Sequence, residues 1–288
     1  MWIVVVAAIL PGLILLYYVY SKDFNPEPKR MVFKGFFYGV LSTFVSTLIS
    51  TPLMFLGLFT KDPGSLAEAA KISFFGAAVP EESAKLLMLW LLLRKNPEFD
   101  ERYDGLVYAA SVGLGFACVE NLMYVVSSGS AWLVMSASRA LFAVPGHFAF
   151  AIAMGYYYSK NHFSWHKSTF WSRLRIWLIP VFLHGIYDTL AFLSKIATVW
   201  SFLVTTAFVL FCARLFKFTR KRILAEAERN RCEALSITKN LFPRTDGGDR
   251  LSNRHLSENE FPSPEISPFA GSPRHAGEGL EVRSEKGW

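Results

Sequence analysis

The chain has 288 residues, of which 52% are hydrophobic and only 18% charged, with a net charge of +7. An ordinary soluble domain carries about 25% charged residues, and here the apolar residues gather in nearly uncharged windows of about 20, the length a helix needs to cross hydrocarbon. A water-soluble globule is therefore excluded, and basic residues that flank apolar spans point to membrane topology and anionic headgroups rather than to nucleic acid.

Seven spans are predicted, at about residues 2–20, 36–59, 72–93, 106–127, 140–158, 176–194 and 197–216. The first reads as a retained helix, because Met1-Trp2-Ile3 offers neither the basic start nor the cleavage site of a signal peptide. The third and fifth contain ionisable residues, which blurs their ends. A short turn near Lys195 makes the last two an antiparallel hairpin. The connections after spans one, three, five and seven hold fifteen Lys and Arg, among them Lys22, Lys29, Arg94, Lys160 and Lys217. The alternate connections hold four: Lys61, Lys71, Arg139 and Lys195. The N-terminus is thus expected outside and the C-terminus in the cytoplasm.

The expected fold class is an all-α, polytopic transmembrane helix bundle. Residues 1–216 form the membrane domain. Residues 217–238 read as a basic juxtamembrane helix on the inner leaflet. Residues 239–288, rich in Pro, Ser, Gly, Glu and Arg, read as a disordered cytoplasmic tail with too little apolar surface to fold. The three cysteines, Cys118, Cys212 and Cys232, form no CxxC pair and suggest neither a disulfide framework nor a thiolate metal site.

An ionisable group at mid-bilayer costs several kcal/mol, roughly 2.5–3.5 on insertion scales, so it is retained only if paired or used. The third span carries Pro80-Glu81-Glu82-Ser83-Ala84-Lys85. Glu81 and Lys85, four apart, share a helix face and can pair. Glu82 points about 100° away and needs another partner. The fourth span carries Gly113, Gly115, Glu120, Asn121 and Tyr124, the fifth Pro145-Gly146-His147, and the sixth His184-Gly185-Ile186-Tyr187-Asp188. The spacing of His184 and Asp188 suits shared metal ligation, or an Asp orienting an imidazole. Counted from the cytoplasmic ends at 1.5 Å per residue, Glu81, Glu120, His147, His184 and Asp188 lie about 12–21 Å deep. Taken singly, each has a plain structural reading: a Glu81–Lys85 ion pair, a hydrogen-bonded His147, Glu120-Asn121 as interhelical glue, Arg139 at the outer interface, Ser83 as a small packing residue. Their shared depth on four helices favours a site.

Such a set suits hydrolysis. A carboxylate can act as general base towards water, and imidazoles with carboxylates can hold a divalent metal that acidifies it. There is no HExxH, no Gly-x-Ser-x-Gly and no second deep Asp for an aspartyl dyad. The residues alone leave open a site with metal or without it.

The sequence resembles the PrsW family of intramembrane proteases, within the wider superfamily of CAAX-type and bacteriocin-processing proteases. The resemblance covers roughly residues 5–215. It rests on Glu81-Glu82-x-x-Lys85, on Asp104 to Tyr108 with Gly113, Gly115-Phe116-Ala117, Glu120-Asn121 and Tyr124, on His147, and on His184-Gly185-x-x-Asp188. It implies cleavage of a membrane-anchored, anti-sigma-factor-like protein. Glu81 would activate water, and Glu82, Glu120 and His184 would be catalytic with it. Lys85, Asn121, Tyr124 and Asp188 would support them. Glu120, His147 and His184 are the candidate metal ligands, with zinc the candidate ion. In CAAX-type relatives a His usually stands where this chain has Glu120, which makes this site richer in carboxylate. The competing expectation is an ion- or proton-coupled transporter that uses the same buried cluster. A seven-helix receptor has only the helix count in its favour.

Overall fold

A computed structural model of the chain describes residues 2–164, 168–196 and 200–241. The described residues belong to one compact unit; the tail expected to be disordered lies outside them beyond Leu241. Among the described residues every regular element is helical and none is a strand. In chain order these are α1 (Trp2–Tyr20), α2 (Lys29–Phe55), α3 (Leu66–Lys71), a π-helical segment (Ile72–Ala78), α4 (Val79–Leu93) and α5 (Asp104–Ser127). A single 3₁₀ turn, α6 (Trp132–Ser138), a second π-helical segment (Arg139–Ala143), α7 (Val144–His162), α8 (Phe170–Ile196) and α9 (Ser201–Leu241) follow.

Six of these runs are long and apolar enough to cross a membrane: Trp2–Tyr20, Lys29–Phe55, Asp104–Ser127, Gly129–His162, Phe170–Lys195 and Ser201–Ser236. The expected third span is not among them, because Glu81, Glu82 and Lys85 fall within one stretch of it. It is nevertheless continuous helix from Leu66 to Leu93, about 42 Å of rise. The second and fifth spans begin earlier than apolarity alone suggested, at Lys29 and at Gly129. The last span and the basic stretch after it form one helix, α9, with no break between them.

The bundle is organised around α5, which packs on α1, α2, α4 and α7 and is buried along most of its length. Close packing without a hydrophobic drive between helices requires small residues at the crossings. At the α2–α5 crossing Gly39 and Gly115 meet; a Cβ on Gly115 would strike the Phe36 carbonyl. At the α5–α7 crossing Gly105 faces Gly155 in the same way. Helix α1 is held differently. Pro11 has no N–H for the Ala7 carbonyl one turn back, and Ser136 Oγ donates to that carbonyl at 3.3 Å. Asn121 Nδ2 donates to the Ala8 carbonyl at 2.6 Å, and the Tyr103 hydroxyl to the Val19 carbonyl at 2.9 Å.

A second group of acids, of which the sequence singles out only Asp104, sits where the α1–α2 connection meets α5. Asp23 and Glu27 are 8% and 4% exposed. The Tyr108 hydroxyl donates to the Glu27 carboxylate in a short bond. Asp23 accepts the Asn25 N–H through one oxygen, while its other oxygen is buried with no partner among the described residues. Asp104 accepts the N–H groups of Asp100 and Glu101 at 3.0 and 2.6 Å, which ties the turn before α5 to its first residue. Asn230 of α9 donates to Glu101 at 2.6 Å. Burial pushes both Asp23 and Glu27 up to about 7.

Two outcomes are expected. Gly115→Leu forces α2 off α5 and lowers stability by about 3 kcal/mol, the upper part of the usual overpacking range; thermal melting of the purified protein in detergent reads the loss. Stability also depends on pH through Asp23 and Glu27. Unfolded, both ionise near pH 4. Between about pH 4 and 7 the folded chain keeps protons that the unfolded chain releases, so stability falls as pH rises through that window and levels above it. Below it both states are protonated. Melting against pH should show that slope, and the pair Asp23→Asn with Glu27→Gln should flatten it.

Candidate active site

Three prolines prepare the helices that carry the site. Pro80 precedes Glu81 by one residue, Pro145 precedes His147 by two, and Pro180 precedes His184 by four. A proline inside a helix gives no N–H and its ring pushes on the carbonyl four residues earlier. In α4 and α7 the strain is taken up just upstream by the π-helical segments, where the Val79 N–H bonds the Phe74 carbonyl and the Val144 N–H bonds the Arg139 carbonyl, five residues back. Widened turns of this kind occur often at functional sites. Here they set the rotation at which Glu81, Glu82 and His147 enter the bundle.

The side chains meet around Lys85, which is 2% exposed. Its Nζ lies 2.9 Å from Glu82 Oε1, 3.3 Å from Glu81 Oε2 and 3.1 Å from His147 Nδ1, and 3.9 Å from the centre of the Phe116 ring. Glu82 Oε1 also meets His184 Nδ1 at 2.9 Å. Each imidazole has a carboxylate at its other nitrogen. His147 Nε2 is 2.7 Å from Glu120 Oε2, and His184 Nε2 is 3.2 Å from Asp188 Oδ2 and 3.9 Å from Glu81 Oε2. The two rings are 5.2 Å apart, and Phe150 stacks on His184 at 4.8 Å. Arg139 closes the far side. Its Nη2 donates to Glu120 at 2.8 Å, its Nε donates to Asn121 at 2.9 Å, and its guanidinium lies 4.2 Å from the centre of the Tyr124 ring.

A cavity of about 460 Å³ lies against this network. Glu81, Glu120, Tyr124, Arg139, His147, His184 and Asp188 reach its wall; Glu82, Lys85 and Asn121 stand behind it. It extends to Phe59, just past the end of α2, and to Lys195 in the last turn of α8. Each residue expected from the sequence thus falls in one network. Arg139 was expected at the outer interface and instead binds two of the site residues. The apolar run that contains it starts at Gly129, not at residue 140, so Arg139 lies within the span, with its side chain 12% exposed. Ser83 keeps its packing role with one addition, accepting the Trp177 Nε1–H at 2.8 Å.

One ligand atom each from Glu81, Glu82, His147 and His184 lie within 4.8 Å of one another. This set shares His147 and His184 with the trio read from the sequence and has Glu81 and Glu82 where that trio has Glu120, which is held by Arg139. Imidazoles with carboxylates are a zinc donor set. Glu82 Oε2 is buried with no hydrogen-bond partner among the described residues, an acceptor left over. Ligand atoms around tetrahedral zinc stand roughly 3.3–3.7 Å apart, so the group must draw in by about 1 Å. The Lys85 ammonium already bonds three of the four donors, and a divalent ion would compete with it for them. In type and burial the donors fit the ion.

A family model described as PrsW family intramembrane metalloprotease matches residues 27–214. That span holds the whole cavity wall and leaves out α1. Relatives named Protease PrsW are similar to this chain. The one from Geobacillus kaustophilus is 37% identical over 66% of this chain and 80% of its own length. The one from Bacillus subtilis is 36% identical over 65% and 82%, and the one from Clostridioides difficile 34% over 70% and 84%. No solved structure matches the chain. This multi-pass membrane protein belongs to the PrsW family of intramembrane metalloproteases, and it is a protease.

Proposed function

We propose that the chain hydrolyses a peptide bond of a membrane-anchored, anti-sigma-factor-like protein, with Glu81 activating the attacking water. The observation that carries this reading is the convergence of Glu81, Glu120, His147, His184 and Asp188 on one cavity within the bundle. Glu81 is the carboxylate suited to the base role. It reaches the cavity and keeps Oε1 free of protein hydrogen bonds among those described, while Lys85 and His184 approach Oε2. Glu82 is fully buried, bonded to Lys85 and His184 and behind the cavity wall, so it is not placed to act as the base. Neither the family match nor the relatives lend support to the transporter alternative.

The chemistry follows from the groups in place. Glu81 takes a proton from water as the water attacks the scissile carbonyl, then passes it to the leaving amine. Arg139, fixed by Glu120 and Asn121, brings positive charge to the cavity wall where the carbonyl oxygen becomes negative. Glu120 and Asp188 each hold one nitrogen of an imidazole, which turns the Nδ1 atoms of His147 and His184 towards Glu82 and Lys85. This is the carboxylate–histidine pairing that orients metal ligands. We assign His147, His184 and Glu82 as the residues that would hold zinc. What zinc supplies there, when bound, is Lewis acidity towards the carbonyl and the water. The Lys and Arg count puts the N-terminus outside and the C-terminus in the cytoplasm. The cavity then reaches the outer half of the bilayer, towards Phe59 and Lys195.

Glu81→Gln, which keeps an oxygen for Lys85, should lower cleavage of a reconstituted membrane-anchored substrate by about a hundredfold or more while melting in detergent shows the variant still folded; wild-type turnover in that variant removes Glu81 from the mechanism. Elemental analysis should find one zinc per chain, and His147→Ala and His184→Ala should each lose it. Full activity of zinc-free, chelator-treated protein would leave a Glu81-driven reaction without metal.

A further inference from the structure

Apart from the active-site cavity, a second one of about 350 Å³ opens between α7, α8 and α9. The two share no wall residue. Its volume is in the range of ligand sites, about 300–1,000 Å³. Its deep end is apolar, formed by Ala149, Ile179, Leu183 and Phe211. Arg214 stands about one turn on from Phe211 along α9, and the other end carries Tyr156, Tyr157 and Arg222. Phe211 and Arg222 are eleven residues apart on α9, about 16 Å along the helix, so the groove grades from apolar to cationic over about half the bilayer core.

The cationic end is richer in positive than in negative charge, with Glu226 the one acid in the adjoining wall. Among the described residues neither Arg214 nor Arg222 is in an ion pair. The Arg222 guanidinium is 4.2 Å from the centre of the Tyr156 ring and 5.2 Å from that of Phe218. Stacking of this kind holds the plane and leaves the N–H edge available to a phosphate. Beyond Tyr156 a small polar cavity of about 100 Å³ continues the charge, with Arg102, Lys160 and Arg229 in its wall against Glu226. At the cytoplasmic end of α9 these arginines stand at the level of the inner-leaflet headgroups, where an anionic headgroup is attracted to them.

We infer that this groove binds an anionic glycerophospholipid, one acyl chain lying along Leu183 and Phe211 and the phosphate against Arg214 and Arg222. A substrate helix does not fit. A helix about 10 Å across fills roughly 120 Å³ per residue of rise, so the groove would hold about three residues of one. A zwitterionic lipid would place its ammonium among guanidiniums. The inference stands apart from the protease reading, because it uses none of that site's residues.

The test is native mass spectrometry of the full chain released from mixed micelles of phosphatidylglycerol and phosphatidylcholine with identical acyl chains. Wild type should retain phosphatidylglycerol preferentially, by about thirtyfold for two cations at a membrane surface. Arg214→Gln with Arg222→Gln should remove the preference. Ala153→Trp, which leaves both arginines and fills the apolar end, should lose both lipids. Melting in detergent establishes that each variant is folded, and the Ala153→Trp result stands if the arginine pair does not fold. Equal retention of the two lipids by wild type, or unchanged phosphatidylglycerol retention in either folded variant, overturns the assignment.

Discussion

A protonated amine in hydrocarbon is tolerated only where acceptors surround it on every side. Lys85 meets that condition with two carboxylates of α4, an imidazole of α7 and an aromatic face of α5. Glu82 extends the contact to His184 of α8. Four helices therefore take their mutual register from one ammonium. Removing any acceptor leaves a buried charge short of a partner, which is far more destabilising than the net worth of the pair. Arg139 repeats the arrangement on a smaller scale, drawing Glu120, Asn121 and Tyr124 together. The positions of the reactive groups are thus a product of charge balance first and of apolar packing second.

Much of this was legible in the sequence, for identifiable reasons. Span length and apolarity located the membrane helices, because no other element satisfies its backbone in lipid. The i, i+4 spacing predicted the Glu81–Lys85 contact and the His184–Asp188 contact, both of which are set within a single helix. Glu82 was expected to point away from Lys85 and to need another partner; it has one in His184 of α8, but it also binds Lys85 more closely than Glu81 does, because the long ammonium side chain spans both faces. What a single sequence does not carry is which helix supplies which cross-contact. Arg139 shows the difficulty. Its apolar neighbours put it at a span edge, and its role appears only when the π-helical segment before α7 is set against α5. The acids Asp23 and Glu27 were silent for the same reason. They lie in a polar connection where acids are ordinary, and only the packing of that connection against Tyr108 makes them unusual.

The two π-helical segments show how local chemistry serves the site. A regular α-helix through Pro80 or Pro145 would leave a carbonyl pressed against the proline ring. One extra residue in the preceding turn relieves that contact and also rotates everything after it by about 100°. Glu81, Glu82 and His147 follow the widened turns closely enough to inherit that rotation. The same residues that interrupt the helices therefore aim them.

Helix α1 is gripped mainly through its backbone. Ser136, Asn121 and Tyr103 all donate to its main-chain carbonyls, at Ala7, Ala8 and Val19. Among its side chains, tight limits fall on Ala8 and Val19, which are wholly buried, on Leu16 in the same core, and on Gly12, where a Cβ would meet Cys118. The rest of its surface is largely exposed to the surroundings of the bundle. A carbonyl is the same whatever side chain follows it, so a substitution on the outward face of this helix leaves all three bonds in place, and only a shift or turn of its backbone breaks them.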